Sequence, residues 1–118
     1  MSHRVIGCAL EVHRALGPGL LESTYERCLA HELTSAGIPL QLQAPIPVDY
    51  KGLRLDCGYR ADVLIDETLI VELKSVSQVL VIHEAQLMTY LKLAGVRVGL
   101  LINFNLELLK DGIKRFVL

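Results

Sequence analysis

The chain has 118 residues, a formal net charge of −1 and a hydrophobic fraction of 52%. This length suits one domain around one core, so we expect a single domain over residues 1–118, and the apolar fraction excludes a disordered chain. The charge excludes a global basic field of the kind that attracts nucleic acid, although a local basic patch remains compatible with such a partner.

The first part of the chain predicts two helices. Apolar residues recur at helical spacing from Val5 to Leu16, and the Gly-Pro-Gly at residues 17–19 ends this amphipathic helix. A second helix is predicted from about Leu20 to Ala36, and Gly37 provides its C-terminal stop.

The next signals are those of β-strands. Residues 38–50 alternate apolar and polar side chains, which is typical of a half-buried strand, and Pro45 and Pro47 restrict this strand to a sheet edge or a bulge. A turn at Lys51-Gly52 leads into a short strand at residues 53–55. Residues 59–76, YRADVLIDETLIVELKSV, then predict a β-hairpin around a polar turn.

The C-terminal part returns to a helix and ends in strands. A long helix is predicted from Ser77 to Gly95, followed by a buried strand at residues 96–104 and a last strand at residues 112–118. This order of elements predicts one α/β domain in which helices flank a mixed β-sheet.

The predicted hairpin carries charges where a sheet interior is expected. With residues 66–68 as the turn, Asp62 faces Glu72 and Arg60 faces Lys74, and all four side chains share one face of the hairpin. The opposite face is wholly apolar and is predicted to pack against helices. It consists of Ala61, Val63, Ile65, Leu69, Val71 and Leu73.

Two carboxylates directly across a hairpin repel each other, and burial strengthens the repulsion. A divalent cation would compensate, because Mg²⁺ prefers carboxylate and carbonyl oxygens and keeps several waters; the backbone carbonyl of Leu73 offers a third ligand beside Asp62 and Glu72. Lys74 would then act on a metal-bound water or on a developing negative charge. The alternative is a solvated sheet face with an ion-pair ladder of Arg60, Glu72 and Lys74.

The spacing of these charges resembles a known signature. Asp62, nine intervening residues and then Glu72-Leu73-Lys74 are similar to the D…(D/E)xK motif of the PD-(D/E)XK nuclease superfamily. The proline that usually precedes the first aspartate is replaced here by Ala61. The motif alone is short, so the resemblance depends on further segments.

Two further segments extend the resemblance over nearly the whole chain. Gly19, Glu22 and Tyr25 match the GxxExxY signature of a family of small prokaryotic proteins assigned to that superfamily. Gln86 and Tyr90, four residues apart on one helical face, resemble the QxxxY motif of the RecB-like nuclease branch. The resemblance implies a restriction-endonuclease-like PD-(D/E)XK core.

The resemblance also implies the residues of the site. Asp62 and Glu72 would bind Mg²⁺ or Mn²⁺ together with the backbone carbonyl of Leu73. Lys74 would act on the metal-activated water that attacks the phosphodiester bond.

Three helical residues would complete this site. Glu22 would orient a metal-bound water, and Gln86 and Tyr90 would position the substrate. Each has a structural alternative: Glu22 as a solvated helix residue, and Gln86 with Tyr90 as a contact between helix and sheet. For Tyr25 we expect packing in the core rather than a catalytic role.

The function implied is metal-dependent hydrolysis of nucleic acid, with DNA as the expected substrate. A chain this short leaves room for a homodimer that completes the substrate groove. The alternative is a catalytically silent nuclease-fold module that serves as a subunit of a larger complex. Retention of the full set of implied catalytic side chains favours the enzyme.

The sequence also bears on location. The three cysteines lack the spacing of a metal-binding motif, and their odd number indicates reduced packing residues. No apolar run approaches the roughly 20 residues of a membrane-spanning helix, and the apolar N-terminal segment is interrupted by Glu11, His13 and Arg14, unlike a signal peptide. We therefore expect a soluble cytoplasmic protein with no membrane partner.

Overall fold

Two helices open the chain in the computed structural model, which describes all residues from 1 to 118. Helix α1 spans Ser2–Leu16 and helix α2 spans Glu22–Ser35, so both predicted helices are confirmed. Helix α2 begins two residues later than predicted. The reason lies in Gly17 and Gly19, which both adopt positive φ and turn the chain before the helix can start.

Seven strands follow, and five of them form one mixed sheet. The strands are β1 (Leu40–Pro45), β2 (Val48–Tyr50), β3 (Leu53–Leu55), β4 (Arg60–Ile65), β5 (Leu69–Lys74), β6 (Val98–Asn103) and β7 (Ile113–Val117). The sheet order is β1-β4-β5-β6-β7, in which only the β5–β6 pair is parallel. The predicted α/β fold with a mixed sheet is confirmed.

The strand predicted over residues 38–50 is divided in the structure. Its first part, β1, is an edge strand of the main sheet, and its second part, β2, pairs with β3 in a separate two-stranded hairpin. The division falls at Ile46 and Pro47. Proline lacks the N–H that a continuous ladder needs, so the chain leaves the sheet there.

The crossover helix α3 spans Val81–Ala94 and begins four residues later than predicted. The buried amide of Asn103 explains the delay, because it accepts from the Val76 N–H and donates to the Val76 carbonyl, which keeps this segment out of a helix. At the start of α3, the Nδ1 atom of His83 accepts a hydrogen bond from the Leu80 N–H. None of the helices is long and apolar enough to span a membrane.

The sheet lies between two layers of helix. One face packs against α1 and α2 and forms the larger core cluster, whereas the other face packs against α3. The predicted apolar face of the hairpin lies on the α1–α2 side, with one exception. Ala61 packs in the cluster on the α3 side together with Ala44, its pairing partner on β1.

Tyr25 confirms its predicted place in the core and also anchors the loop before α2. Its ring is fully buried and stacks on Phe104 with 4.4 Å between ring centroids. Its hydroxyl donates to the Gly17 carbonyl at 2.5 Å and accepts from the Leu20 N–H at 3.2 Å. These bonds fix the loop of residues 17–21, which leads directly into Glu22, the first residue of α2.

Substituting Tyr25→Phe keeps the stacked ring and removes both hydrogen bonds. We expect the free energy of unfolding to fall by about 1–3 kcal/mol, because two backbone groups lose their partner. Urea denaturation followed by circular dichroism measures this. Tyr50→Phe, at an exposed tyrosine, is the matched control and should change little; an equal effect of the two substitutions would show that the hydroxyl bonds of Tyr25 do not stabilise the loop.

Candidate active site

The hairpin that carries the acidic residues has the predicted register near its turn. Backbone pairs join Ile65 to Leu69 and Val63 to Val71, and there the ladder between β4 and β5 ends. Beyond it, the predicted pairing of Arg60 with Lys74 is not observed. Arg60 pairs with a residue of β1, and Lys74 pairs with a residue of β6, because the two hairpin strands diverge.

Two carboxylates take the place of the missing backbone pairs. The Asp62 N–H donates to Glu72 Oε1 at 3.0 Å, and the Leu73 N–H donates to Asp62 Oδ2 at 2.8 Å. Each carboxylate therefore accepts a backbone hydrogen bond from the opposite strand. The carboxylates hold the separated strand ends together and keep one oxygen each outside these two bonds.

Glu72 is buried, which excludes the alternative of a solvated ion-pair ladder. Only 6% of the residue is exposed. Burial, followed by the nearby charge of Asp62, raises the pKa of Glu72 to about 8. Arg60 pairs instead with Asp56, at 3.6 Å, and Lys74 takes part in none of the ion pairs.

Lys74 ends strand β5, two residues after Glu72 and on the same face of the strand. Its side chain is half-buried, and its charge acts on Glu72 in the direction opposite to burial, lowering the pKa of that carboxyl. Its own backbone carbonyl accepts from the Phe104 N–H at 2.8 Å. The backbone is thus fixed while the ammonium group has no carboxylate partner.

Glu22 lies against the end of β5, although it belongs to α2. Its Oε2 atom accepts from the Ser75 N–H at 3.3 Å, and the Ser75 hydroxyl donates to the Leu20 carbonyl at 2.6 Å. Glu22, Asp62 and Leu73 line one cleft of about 250 Å³. The structure therefore brings the helical glutamate to the split between the hairpin strands.

Three further residues line this cleft and were not anticipated from the sequence: Ser23, Glu26 and Gln43. Gln43 of β1 donates through Nε2 to Glu26 Oε1 at 2.6 Å and to Asp62 Oδ1 at 3.4 Å. Burial raises the pKa of Glu26, and the charge of Asp62 adds to the effect while the Gln43 bond opposes it. Glu26 lies one helical turn after Glu22, a spacing that predicts a shared face; Gln43 had no such signal.

Tyr90 and Gln86 lie differently with respect to the carboxylates. The Tyr90 ring is buried on the α3 side, 6.1 Å from the ring of Tyr59. Burial, and then the charge of Glu72, raises the pKa of the Tyr90 hydroxyl, so this hydroxyl lies within the electrostatic influence of the acidic pair. Gln86 is exposed on α3 and takes part in none of the side-chain hydrogen bonds.

The sequence matches the model of the PD-(D/E)XK nuclease superfamily over residues 1–116. This match covers almost the whole chain, and it agrees with the mixed sheet flanked by helices and with the carboxylates at the divergence of two central strands. The chain belongs to the PD-(D/E)XK nuclease superfamily. Nucleases of this superfamily generally use divalent metal ions. Searches of curated proteins and of solved structures gave no match.

The residues of this PD-(D/E)XK site fit a hard divalent cation. Asp62 and Glu72 each keep one carboxylate oxygen outside the backbone bonds, and their mutual repulsion favours a positive charge between them. The Leu73 carbonyl points to the same strand edge as its N–H, toward Asp62. No three His, Cys, Asp or Glu side chains form a metal cluster, so the remaining ligands of such a cation would be the carbonyl and water.

Proposed function

We propose that this PD-(D/E)XK protein is a Mg²⁺- or Mn²⁺-dependent nuclease that hydrolyses phosphodiester bonds, with DNA as its substrate. The observation that carries the proposal is the interlocked pair Asp62 and Glu72. Two acidic side chains are held together at a strand divergence, one of them is buried, and neither forms an ion pair with a basic side chain. Two neighbouring carboxyl groups without an ion-pair partner suit a divalent cation and, through it, a phosphate group.

Each residue then has a distinct role. Asp62 and Glu72 would hold the cation together with the Leu73 carbonyl. When bound, the cation would act as a Lewis acid toward the scissile phosphate and would lower the pKa of a water molecule. Lys74 offers an unpaired ammonium group to the attacking water or to the negative charge that develops on the phosphate.

The helical residues support the same reaction from both sides of the sheet. Glu22 orients water at the cleft from α2, where its carboxylate already reaches the end of β5. Tyr90 packs behind the acidic pair on the α3 side. Gln86 is exposed on the same helix, and in this proposal it contacts bound substrate.

The motifs support a finer assignment within the superfamily. Gly19, Glu22 and Tyr25 fit the GxxExxY type, since the glycine has positive φ, the glutamate faces the cleft and the tyrosine anchors the loop. Gln86 and Tyr90 fit the RecB-like branch.

The same proposal includes a cytoplasmic location and a homodimer that extends the substrate groove. Light scattering that detects only monomer at assay concentration would exclude the dimer.

Incubation of the purified protein with circular DNA, linear DNA, single-stranded DNA and RNA, in Mg²⁺, Mn²⁺ or EDTA, tests the function. We expect DNA to be cut in either metal and not in EDTA. Asp62→Asn should abolish cutting, and Asp66→Asn, the same change in the turn of the same hairpin, should not. Absence of cutting under every condition, or equal cutting by wild type and Asp62→Asn, would refute the proposal.

A further inference from the structure

Gln43 has an unusual backbone conformation directly opposite Asp62. Its neighbours on β1 pair with β4, Leu42 with Val63 and Ala44 with Ala61, but Gln43 itself lies outside the ladder with φ of 50°. Positive φ is uncommon and strained for a residue with a Cβ atom. Such strain concentrates at functional sites, where the surrounding structure enforces it.

The side chain of Gln43 joins two carboxylates from different elements. Its Nε2 atom donates to Glu26 Oε1 at 2.6 Å and to Asp62 Oδ1 at 3.4 Å. Because carboxylates accept and do not donate when ionised, only the NH₂ end of the amide can face both of them. The short bond to Glu26 anchors the amide on α2, and the second hydrogen remains for Asp62.

The amide completes the set of bonds that fixes the Asp62 carboxylate. The Leu73 N–H holds Oδ2 at 2.8 Å, and Gln43 approaches Oδ1 from the other side. With a hydrogen bond at each oxygen, the carboxylate is held in one orientation, while Oδ1 keeps a lone pair for a cation. Outer partners of this kind orient the ligands of a metal and tune its affinity.

We propose that Gln43, anchored by Glu26, is a positioning residue that fixes the Asp62 carboxylate for metal binding. This inference rests on the proposed function of the site. Gln43 connects α2, β1 and β4 through its hydrogen bonds to Glu26 and Asp62. The strained backbone of Gln43 then has a purpose, since it turns the side chain toward Asp62.

The substitution Gln43→Gly separates positioning from stability. Glycine relieves the positive φ, which offsets the two lost side-chain hydrogen bonds and the added freedom of the unfolded chain, so the melting temperature should change by only about a few degrees. Affinity for Mn²⁺, measured from the rise in melting temperature with metal concentration, should weaken about tenfold. Gln41→Ala, on the same edge strand, is the control and should bind Mn²⁺ as the wild type does.

A double substitution, Gln43→Glu with Glu26→Gln, provides the second test. It rebuilds the bond between α2 and β1 with reversed polarity but leaves Asp62 facing a carboxylate in place of a donor. If Gln43 only linked the two elements, the double variant would bind Mn²⁺ normally. We expect the same weakening as in Gln43→Gly, or more, together with a lower kcat for DNA cutting.

The outcomes distinguish this inference from the proposed function. Wild-type protein that binds Mn²⁺ and cuts DNA, together with a Gln43→Gly variant that binds Mn²⁺ equally well, would overturn the inference alone. Normal Mn²⁺ affinity in the double variant would do the same. Wild-type protein that neither binds Mn²⁺ nor cuts DNA would overturn both.

Discussion

Replacing Lys74 by methionine is expected to slow DNA cutting by about 10²- to 10⁴-fold, the range typical of a lost acid–base or charge-stabilising group. Methionine preserves the apolar stem of the half-buried side chain, so the fold should be retained. Lys74 lies beside the acidic pair but is not one of its proposed metal ligands. Affinity for Mn²⁺ should therefore stay the same or increase slightly, since a positive charge is removed near the cation.

Single-turnover cutting rates and thermal-shift titration with Mn²⁺ measure the two effects separately. Asp62→Asn should lose both metal binding and cutting, whereas Lys74→Met should lose cutting alone. Lys110→Met is the matched control, because it removes an exposed lysine that does not line the cleft of the acidic pair. Normal cutting by Lys74→Met would remove this residue from the chemical step.

Replacing Glu72 by glutamine is expected to stabilise the metal-free protein at alkaline pH. Burial raises the pKa of Glu72 to about 8 in the folded state, from an ordinary value of 4.5. A raised carboxyl pKa means that the folded state holds the proton more tightly, so its contribution to stability is present below pH 4.5 and is lost as pH rises toward 8. The loss is on the order of a few kcal/mol.

Glutamine resembles the protonated carboxyl and can still accept the Asp62 N–H through its side-chain oxygen. In EDTA, wild type and Glu72→Gln should melt at similar temperatures near pH 4.5. At pH 8.5 the variant should melt about 10 °C higher. Mg²⁺ should narrow that difference by stabilising the wild type, because a bound cation compensates the buried charge.

Differential scanning calorimetry across this pH range measures the effect. Glu67→Gln neutralises an exposed glutamate in the turn of the same hairpin and should shift the melting temperature little at any pH. A Glu72→Gln variant that is less stable than wild type at pH 8.5 would contradict the assigned cost of burying this charge. The same substitution should abolish metal-dependent cutting, so stability and activity should change in opposite directions.

The sequence was sufficient to predict the hairpin near its turn, and hydrophobic alternation explains why. Between Val63 and Val71 both faces follow the two-residue period of a strand, and the backbone pairs as that period requires. Beyond these residues the acceptors are side-chain carboxylates. Hydropathy patterns do not distinguish a carboxylate that accepts a backbone N–H from one that faces solvent, so the divergence of the strands was not predictable.

The elements around the site show the same limit. Glu22 was predicted from its motif. It is the first residue of α2, and from there its carboxylate reaches the Ser75 N–H at the end of β5. Gln43 was missed because its partners belong to α2 and β4, and only the order of strands in the sheet brings them together. The late start of α3 was missed because it depends on Asn103, a residue 27 positions away from Val76.

The divergence of β4 and β5 has an evolutionary consequence. Asp62 accepts the Leu73 N–H, so under the proposed function this carboxylate would serve both the chemistry and the fold. A related protein without nuclease activity would still need a hydrogen-bond acceptor for the Leu73 N–H at this position. Asparagine or serine would therefore be tolerated there before alanine. Lys74 has no ion-pair partner to retain it. In a lineage that abandons catalysis, the lysine should therefore drift first and the aspartate last.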